Sequence, residues 1–170
     1  RYGFTFDFKT VANPAPELIS VATGDLDGQN NDDLAVGANG QIIVYTNNGG
    51  SGASLNFALY RTVTLTDYHI TDIEIVDYDG DSDLDIIALG QEYYYMSNDQ
   101  GSAGPTTGNI AVFFIENTGT GFSVEATYTA SDALYANSNW KQWDGKFDLT
   151  TGDFDNDGDI DAATIYGADT

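Results

Sequence analysis

The chain has 170 residues and a formal net charge of −22, because 27 acidic residues face only five Lys and Arg. Apolar residues make up 41% of it and cysteine is absent, so a folded core is expected, whereas disulfides, zinc–thiolate sites and thiol nucleophiles are excluded. The negative charge disfavours nucleic acid and anionic membrane surfaces, and no apolar run approaches the roughly 20 residues that span a bilayer. We therefore expect cations or basic ligands as partners, with no nucleic acid and no membrane insertion.

In chain order, short apolar segments alternate with turn signals, and no segment follows a helical period. Residues 1–11 alternate aromatic with small or polar side chains, which predicts one outer strand of a preceding unit. Residues 17–66 and 67–130 each predict a strand, an acidic loop and three further strands, with an inserted loop at 90–108. Residues 131–170 predict an insertion and the first half of another unit. Four-stranded units at a spacing of about 40–50 residues are typical of β-propeller blades, so the predicted fold is all-β.

The acidic residues are concentrated in three windows, 25–33, 77–85 and 153–161, which hold 14 of the 27. In each window, side-chain oxygens recur at positions 1, 3, 5 and 9, and position 7 could add a backbone carbonyl. Each window falls between the first and second strands of a predicted blade. The predicted metal ligands are Asp25, Asp27, Gln29, Asn31 and Asp33; Asp77, Asp79, Asp81, Asp83 and Asp85; and Asp153, Asp155, Asp157, Asp159 and Asp161.

Six to eight hard oxygens in one loop are typical of Ca²⁺, and Mg²⁺ is the weaker candidate because it demands a stricter octahedron. The alternative is a solvated acidic turn, since Asp, Asn and Gly also favour turns. Three windows in one register favour calcium, with up to three structural Ca²⁺ ions. Gln29 should weaken the first site. An EF-hand loop is excluded because position 12, which needs an acid, is Val36, Ala88 or Thr164.

The first and third windows, with their flanks, resemble a known repeat. The segments Gly24-Asp-Leu-Asp-Gly and Gly152-Asp-Phe-Asp-Asn-Asp-Gly-Asp-Ile-Asp are similar to FG-GAP/VCBS repeats. The resemblance implies calcium-bearing β-propeller blades such as those of integrin α chains and of many secreted bacterial proteins. The chain departs from the pattern at Gln29 and lacks Phe-Gly before any repeat. Because fewer than three blades cannot close a ring, we expect either a slice of a longer propeller or completion by partner chains.

A candidate binding face comes from two insertions rich in aromatic residues, which the up-and-down strand order places on the face opposite the acidic loops. The predicted ligand-binding residues are Tyr93, Tyr94, Tyr95, Tyr135, Trp140 and Trp143. Such aromatic side chains suit stacking on sugar rings or a protein partner, but they could equally pack the loops onto the scaffold. Catalysis has little support, because the single histidine, His69, has no accompanying nucleophile motif, and a structural role is expected for it.

The sequence thus favours an extracellular or cell-surface, calcium-stabilised module for adhesion or for binding a carbohydrate or protein, without enzymatic activity. Two alternatives stay open. One is a non-catalytic propeller of a polysaccharide-degrading enzyme. The other is a self-assembling structural or filament protein, whose open strand edges at 1–11 and 160–170 pair between chains.

Overall fold

The fold is known from a computed structural model, which describes residues 18–50, 55–92, 109–131 and 146–167. Within these ranges every regular element is a β-strand, which confirms the all-β prediction. The strands are β1 Leu18–Gly24, β2 Asp33–Asn47, β3 Phe57–Val76, β4 Asp85–Glu92, β5 Asn109–Asn117, β6 Phe122–Ser131, β7 Lys146–Gly152 and β8 Asp161–Gly167.

The strands form two antiparallel sheets in sequence order. The larger sheet runs β1-β2-β3-β4-β5-β6 and is curled, and β7 pairs with β8 in a second sheet of two strands. The curled antiparallel arrangement is consistent with partial propeller blades. The predicted blade boundaries stay a prediction; the strand at 1–11 and most of the inserted loop at 90–108 lie outside the described residues.

The 15-residue strand β2 reverses direction within its own length. If it were straight, its ends would be separated by roughly 45 Å. Instead the backbone N–H of Asn47 donates to Oδ1 of Asp33 at 2.7 Å, so the two ends meet. The reversal lies at Asn39–Gly40, where Gly40 has φ 75° and the pairing with β3 shifts register. Asn-Gly is the preferred dipeptide of a tight hairpin, so β2 comprises two of the predicted blade strands.

The 20-residue strand β3 also combines two predicted strands. Its first part, up to Thr64, pairs with β2, and its second part, from Tyr68, pairs with β4. Asp67 lies between the two parts with φ 76°, a left-handed conformation that interrupts extended backbone. The chain therefore passes from one predicted blade to the next without a loop, which accounts for the merging of two predicted strands.

The main core lies between neighbouring parts of the curled sheet. It contains fully buried side chains from β2, β3 and β4, including Ile42, Ile70 and Ile86. A second cluster packs Ile87 and Leu89 against Leu149 of β7. Alternate residues of β4 face the two clusters, which explains why this strand is a continuous apolar run rather than an alternating one.

Candidate metal centres

Each acidic window forms a loop of the same length between two antiparallel strands. The loops are residues 25–32 between β1 and β2 (loop 1), 77–84 between β3 and β4 (loop 2), and 153–160 between β7 and β8 (loop 3). In each case the residue before the loop pairs with the aspartate at position 9, as Val76 pairs with Asp85. Each acidic loop therefore joins two consecutive antiparallel strands, whereas their place as the first two strands of a blade stays a prediction.

The position-1 aspartate closes each loop on itself. In loop 1, Asp25 accepts the backbone N–H groups of Gln29 at 3.0 Å and Asn30 at 2.7 Å. Its counterparts Asp77 and Asp153 each accept two backbone N–H groups of their own loops. These bonds satisfy amides that the turn would otherwise leave unpaired. The loops are therefore wound around the carboxylate oxygens.

The tight winding requires left-handed backbone at positions 4 and 6 of every loop. All six of these residues have positive φ, between 61° and 100°: Gly28, Asn30, Gly80, Ser82, Asn156 and Gly158. Gly adopts this conformation freely and Asn tolerates it, whereas Ser is a less usual occupant. The Gly and Asn residues at positions 4 and 6 thus serve the backbone shape of the loops.

The position-9 aspartates of loops 1 and 2 lie inside the protein. Asp33 and Asp85 are 0% and 1% exposed, respectively. Oδ2 of Asp33 accepts the N–H of Leu26 at 2.9 Å, and Oδ2 of Asp85 accepts the N–H of Tyr78 at 3.2 Å. Burial raises the pKa of both carboxyl groups, while the donated backbone hydrogen bonds act in the opposite direction. A buried charge of this kind is stabilised further when a cation lies beside it.

An asparagine at a strand end, Asn47 of β2 or Asn117 of β5, secures each of these two aspartates. The backbone N–H of Asn47 donates to Asp33, and that of Asn117 donates to Oδ1 of Asp85 at 2.8 Å. Each asparagine side chain also donates to the carbonyl at position 8 of the loop, and each accepts the N–H of the glycine two residues later. Sequence analysis missed this pair. The signal was present, because both begin an Asn-X-Gly turn after an apolar strand.

Loop 3 lacks such an anchor among the described residues. Asp161 is half-buried and accepts the backbone N–H of Phe154 at 2.9 Å, as its counterparts do in the other loops. No asparagine of the described ranges donates to it. Loop 3 therefore has the same internal winding as loops 1 and 2, with less support from the rest of the sheet.

In all three loops the carboxylates of positions 1, 3 and 9 converge. Asp25, Asp27 and Asp33 each offer an oxygen within 4.8 Å of the others, and the same holds for the equivalent triads Asp77, Asp79, Asp85 and Asp153, Asp155, Asp161. Oxygens that share one Ca²⁺ at 2.3–2.6 Å must lie within about 5 Å of one another, so the spacing fits such an ion. These nine residues could hold metal ions.

The other predicted ligands lie outside these triads. The position-5 residues Gln29, Asp81 and Asp157 are exposed, and the carboxylates of Asp81 and Asp157 accept the N–H of the position-7 residue. The position-7 residues Asn31, Asp83 and Asp159 are also exposed. Their ligation, by side chain or backbone carbonyl, stays a prediction.

The aromatic residues of the predicted binding face lie outside the described residues: Tyr93, Tyr94, Tyr95, Tyr135, Trp140 and Trp143. His69 lies at the opposite end of the sheet from the loops, where its Nδ1 contacts Oδ1 of Asn39 at the β2 reversal. This contact agrees with the structural role expected of it.

Comparison with known proteins agrees with this geometry. Residues 25–88, which include loops 1 and 2, match the family model of the FG-GAP-like repeat. This match is consistent with the FG-GAP/VCBS-type repeat that the resemblance implied. Searches of curated proteins and of solved structures found no match. Among the described residues, no helix is long and apolar enough to cross a membrane.

Proposed function

We propose that the three loops bind Ca²⁺ and that the protein is an extracellular, calcium-stabilised β-propeller-like module that binds a carbohydrate or protein ligand. The observation that carries the calcium proposal is the threefold repetition of one carboxylate triad on one loop geometry. The donors are hard oxygens, which suit Ca²⁺ better than metals that prefer nitrogen or sulfur. The FG-GAP-like match across loops 1 and 2 supports the same assignment.

Bound calcium would supply positive charge where the chain has concentrated its negative charge. The residues that would hold it are those of positions 1, 3 and 9, and in loops 1 and 2 position 9 also bonds to a strand end, at Asn47 or Asn117. An ion in loop 1 or 2 would therefore stabilise the loop and its attachment to the sheet together. We propose a structural role, since Asp33 and Asp85, which would help to hold the ions of loops 1 and 2, are buried within the larger sheet.

Thermal unfolding with calcium, with magnesium and with a chelator tests this proposal. Each site should stabilise the protein by about 2.7 kcal/mol when free calcium is 100-fold above its dissociation constant. Magnesium should raise the melting temperature less. The matched control is a variant with Asp27→Asn, Asp79→Asn and Asp155→Asn, which should not respond to calcium. A melting temperature that chelation leaves unchanged at low salt would contradict the proposal.

The ligand-binding proposal is supported by where the two aromatic insertions leave the sheet. The first follows Glu92 and ends before Asn109, and the second follows Ser131. Oε2 of Glu92 accepts hydrogen bonds from both nitrogens of Asn109, at 3.1 and 2.7 Å, and Asn109 pairs with Ser131. Both insertions therefore begin at one end of the sheet, opposite the acidic loops. Aromatic residues on such loops suit a sugar ring or a protein surface.

The test is the binding of the full chain to glycans and to extracellular proteins after Trp140→Ala and Trp143→Ala. Binding should fall at least about tenfold for one ligand, as expected for loss of an aromatic anchor. The matched control is Phe154→Ala, because Phe154 is 58% exposed and lies in loop 3 at the other end of the sheet. Unchanged binding by folded tryptophan variants would leave the aromatics as packing residues.

Self-assembly is a second candidate, favoured by exposed apolar side chains on strands at the sheet edges. Tyr128 of β6 is 66% exposed and Ile165 of β8 is 67% exposed. Exposed edge strands are templates for pairing with another chain. Light scattering with and without calcium separates the two candidates, since a monomer at all concentrations excludes assembly.

A further inference from the structure

The side chain of Asn117 connects loop 2 to loop 1. Asn117 is 4% exposed, and its backbone N–H donates to Asp85 of loop 2. Its Nδ2 donates to the carbonyl of Leu84, within loop 2, at 3.1 Å, and also to the carbonyl of Leu26, in loop 1, at 2.9 Å. The residue thus contacts both acidic loops, 91 positions apart in sequence in the second case.

The bond to Leu26 reaches the carboxylate of loop 1 through a single peptide unit. The carbonyl of Leu26 accepts from Asn117, and the N–H of Asp27, in the same peptide unit, donates to Oδ2 of Asp33 at 3.1 Å. A hydrogen-bonded chain therefore runs from Asp85 through Asn117 and the Leu26–Asp27 peptide to Asp33. The backbone N–H and the side-chain amide of Asn117 are joined through its Cα and Cβ, so the chain acts by fixing the positions of the groups at its two ends.

The two carboxylates at the ends of this chain are the position-9 members of two triads. Asn47 occupies the equivalent place beside loop 1, but its side chain donates only to the carbonyl of Asp32 within that loop. Loop 3 has no such connection among the described residues. The connection is therefore specific to loops 1 and 2, and it depends on one side-chain amide.

We propose that Asn117 is a positioning residue that couples the cation sites of loops 1 and 2, so that the two sites fill cooperatively while loop 3 fills independently. This inference rests on the proposed calcium binding. Ordering of either loop by a cation fixes one end of the hydrogen-bonded chain, which holds the carboxylate at the other end in its binding position. Direct repulsion between two bound cations would have the opposite sign, because filling one site would weaken the other.

The test is a calcium titration of the full chain that is monitored by NMR. The backbone amides of Gly28, Gly80 and Gly158 report on loops 1, 2 and 3, respectively. Asp79→Asn, which disables loop 2, should weaken calcium binding at loop 1 about fivefold or more. Because coupling is reciprocal, Asp27→Asn should weaken calcium binding at loop 2 by the same factor. Asp155→Asn in loop 3 is the matched control and should change neither.

Asn117→Ala tests the route of the coupling. In the Asn117→Ala background, Asp79→Asn should no longer change the calcium affinity of loop 1. In an Asn47→Ala background, Asp79→Asn should still weaken calcium binding at loop 1. If Asn117→Ala does not fold, the reciprocal pair of loop variants still decides, because both substitutions lie in hydrated loops. If loops 1 and 2 bind calcium with independent affinities, the proposed coupling is wrong but the proposed calcium binding stands. If no loop amide responds to calcium, the proposed function fails, and the coupling fails with it.

Discussion

Loops 2 and 3 belong to the more acidic windows, which have five aspartates each. They differ in the hydrogen bonds and the burial that the rest of the protein gives them. In loop 2 the position-9 aspartate, Asp85, is buried and bonded to Asn117 of a neighbouring strand. In loop 3 its counterpart, Asp161, is half-buried and, among the described residues, accepts a hydrogen bond from the loop alone. The local winding is the same, because it arises from the carboxylates and the left-handed residues of each loop. Support from the rest of the sheet depends on which strands lie alongside.

The largest expected effect is a difference in the free energy of unfolding between substitutions of these two aspartates. In the presence of a chelator, Asp85→Ala should lower the free energy of unfolding by about 3 kcal/mol, because it leaves the N–H groups of Tyr78 and Asn117 buried without acceptors. Asp161→Ala should cost about 1 kcal/mol, since water can reach the N–H of Phe154. Urea denaturation measures both. Equal losses would show that the anchor to the neighbouring strand adds nothing.

The next effect concerns position 5, which is Gln29 in loop 1 and Asp81 in loop 2. Gln29→Asp should strengthen calcium binding at loop 1 about tenfold if a position-5 carboxylate joins the coordination, because charge count tunes affinity in such loops. Asp81→Asn is the reciprocal change and should weaken loop 2 to a similar extent. Calorimetric titration gives both affinities. If neither substitution alters affinity, position 5 does not ligate.

A smaller effect is expected from the left-handed residue at position 6 of loops 1 and 2. Ser82 has φ 82° and Asn30 has φ 61°. Ser82→Gly should raise the free energy of unfolding by about 0.5 kcal/mol, since relief of the left-handed strain exceeds the entropy lost with glycine. Asn30→Gly should be close to neutral, because Asn tolerates this conformation. Destabilisation by Ser82→Gly would indicate that the serine side chain has a role of its own.

A similarly small effect is expected at Glu74, where the larger sheet meets β7. Burial, followed by the charges of Asp72 and Asp148, raises the pKa of Glu74 above its ordinary value of 4.5. Its pKa in the folded protein therefore exceeds its pKa in the unfolded chain. The folded protein consequently loses stability as the pH rises from the unfolded-state pKa through the folded-state pKa. Glu74→Gln removes this loss and should stabilise the protein by about 0.5 kcal/mol at neutral pH.

The pH profile of the difference between Glu74→Gln and the parent protein checks the cause. The stabilisation should disappear as the pH falls below about 4.5, where the glutamate is protonated in both states. The difference between the two proteins is measured because Asp33 and Asp85 also titrate in the acid range. A stabilisation that is independent of pH would assign the effect to packing rather than to charge.

Much of the fold and of the loops could be predicted from sequence because the determinants are local. The Asn39–Gly40 dipeptide predicts the reversal inside β2, and the alternation of aspartate with Gly or Asn predicts the winding of the loops. The continuation of β3 from one predicted unit, 17–66, into the next, 67–130, could not be predicted, since it depends on a left-handed Asp67 between two β-prone segments. The anchoring asparagines were also missed, because Asn-X-Gly turns occur wherever strands end.

The sequence by itself determined that the chain is all-β and where its acidic loops begin and end, because both depend on residues within one loop or hairpin. The tertiary structure alone decided that Asp33 and Asp85 are buried whereas Asp161 is not fully so. It also decided that Asn117 connects two loops, because burial and a bond across 91 residues depend on which strands the folded sheet brings together.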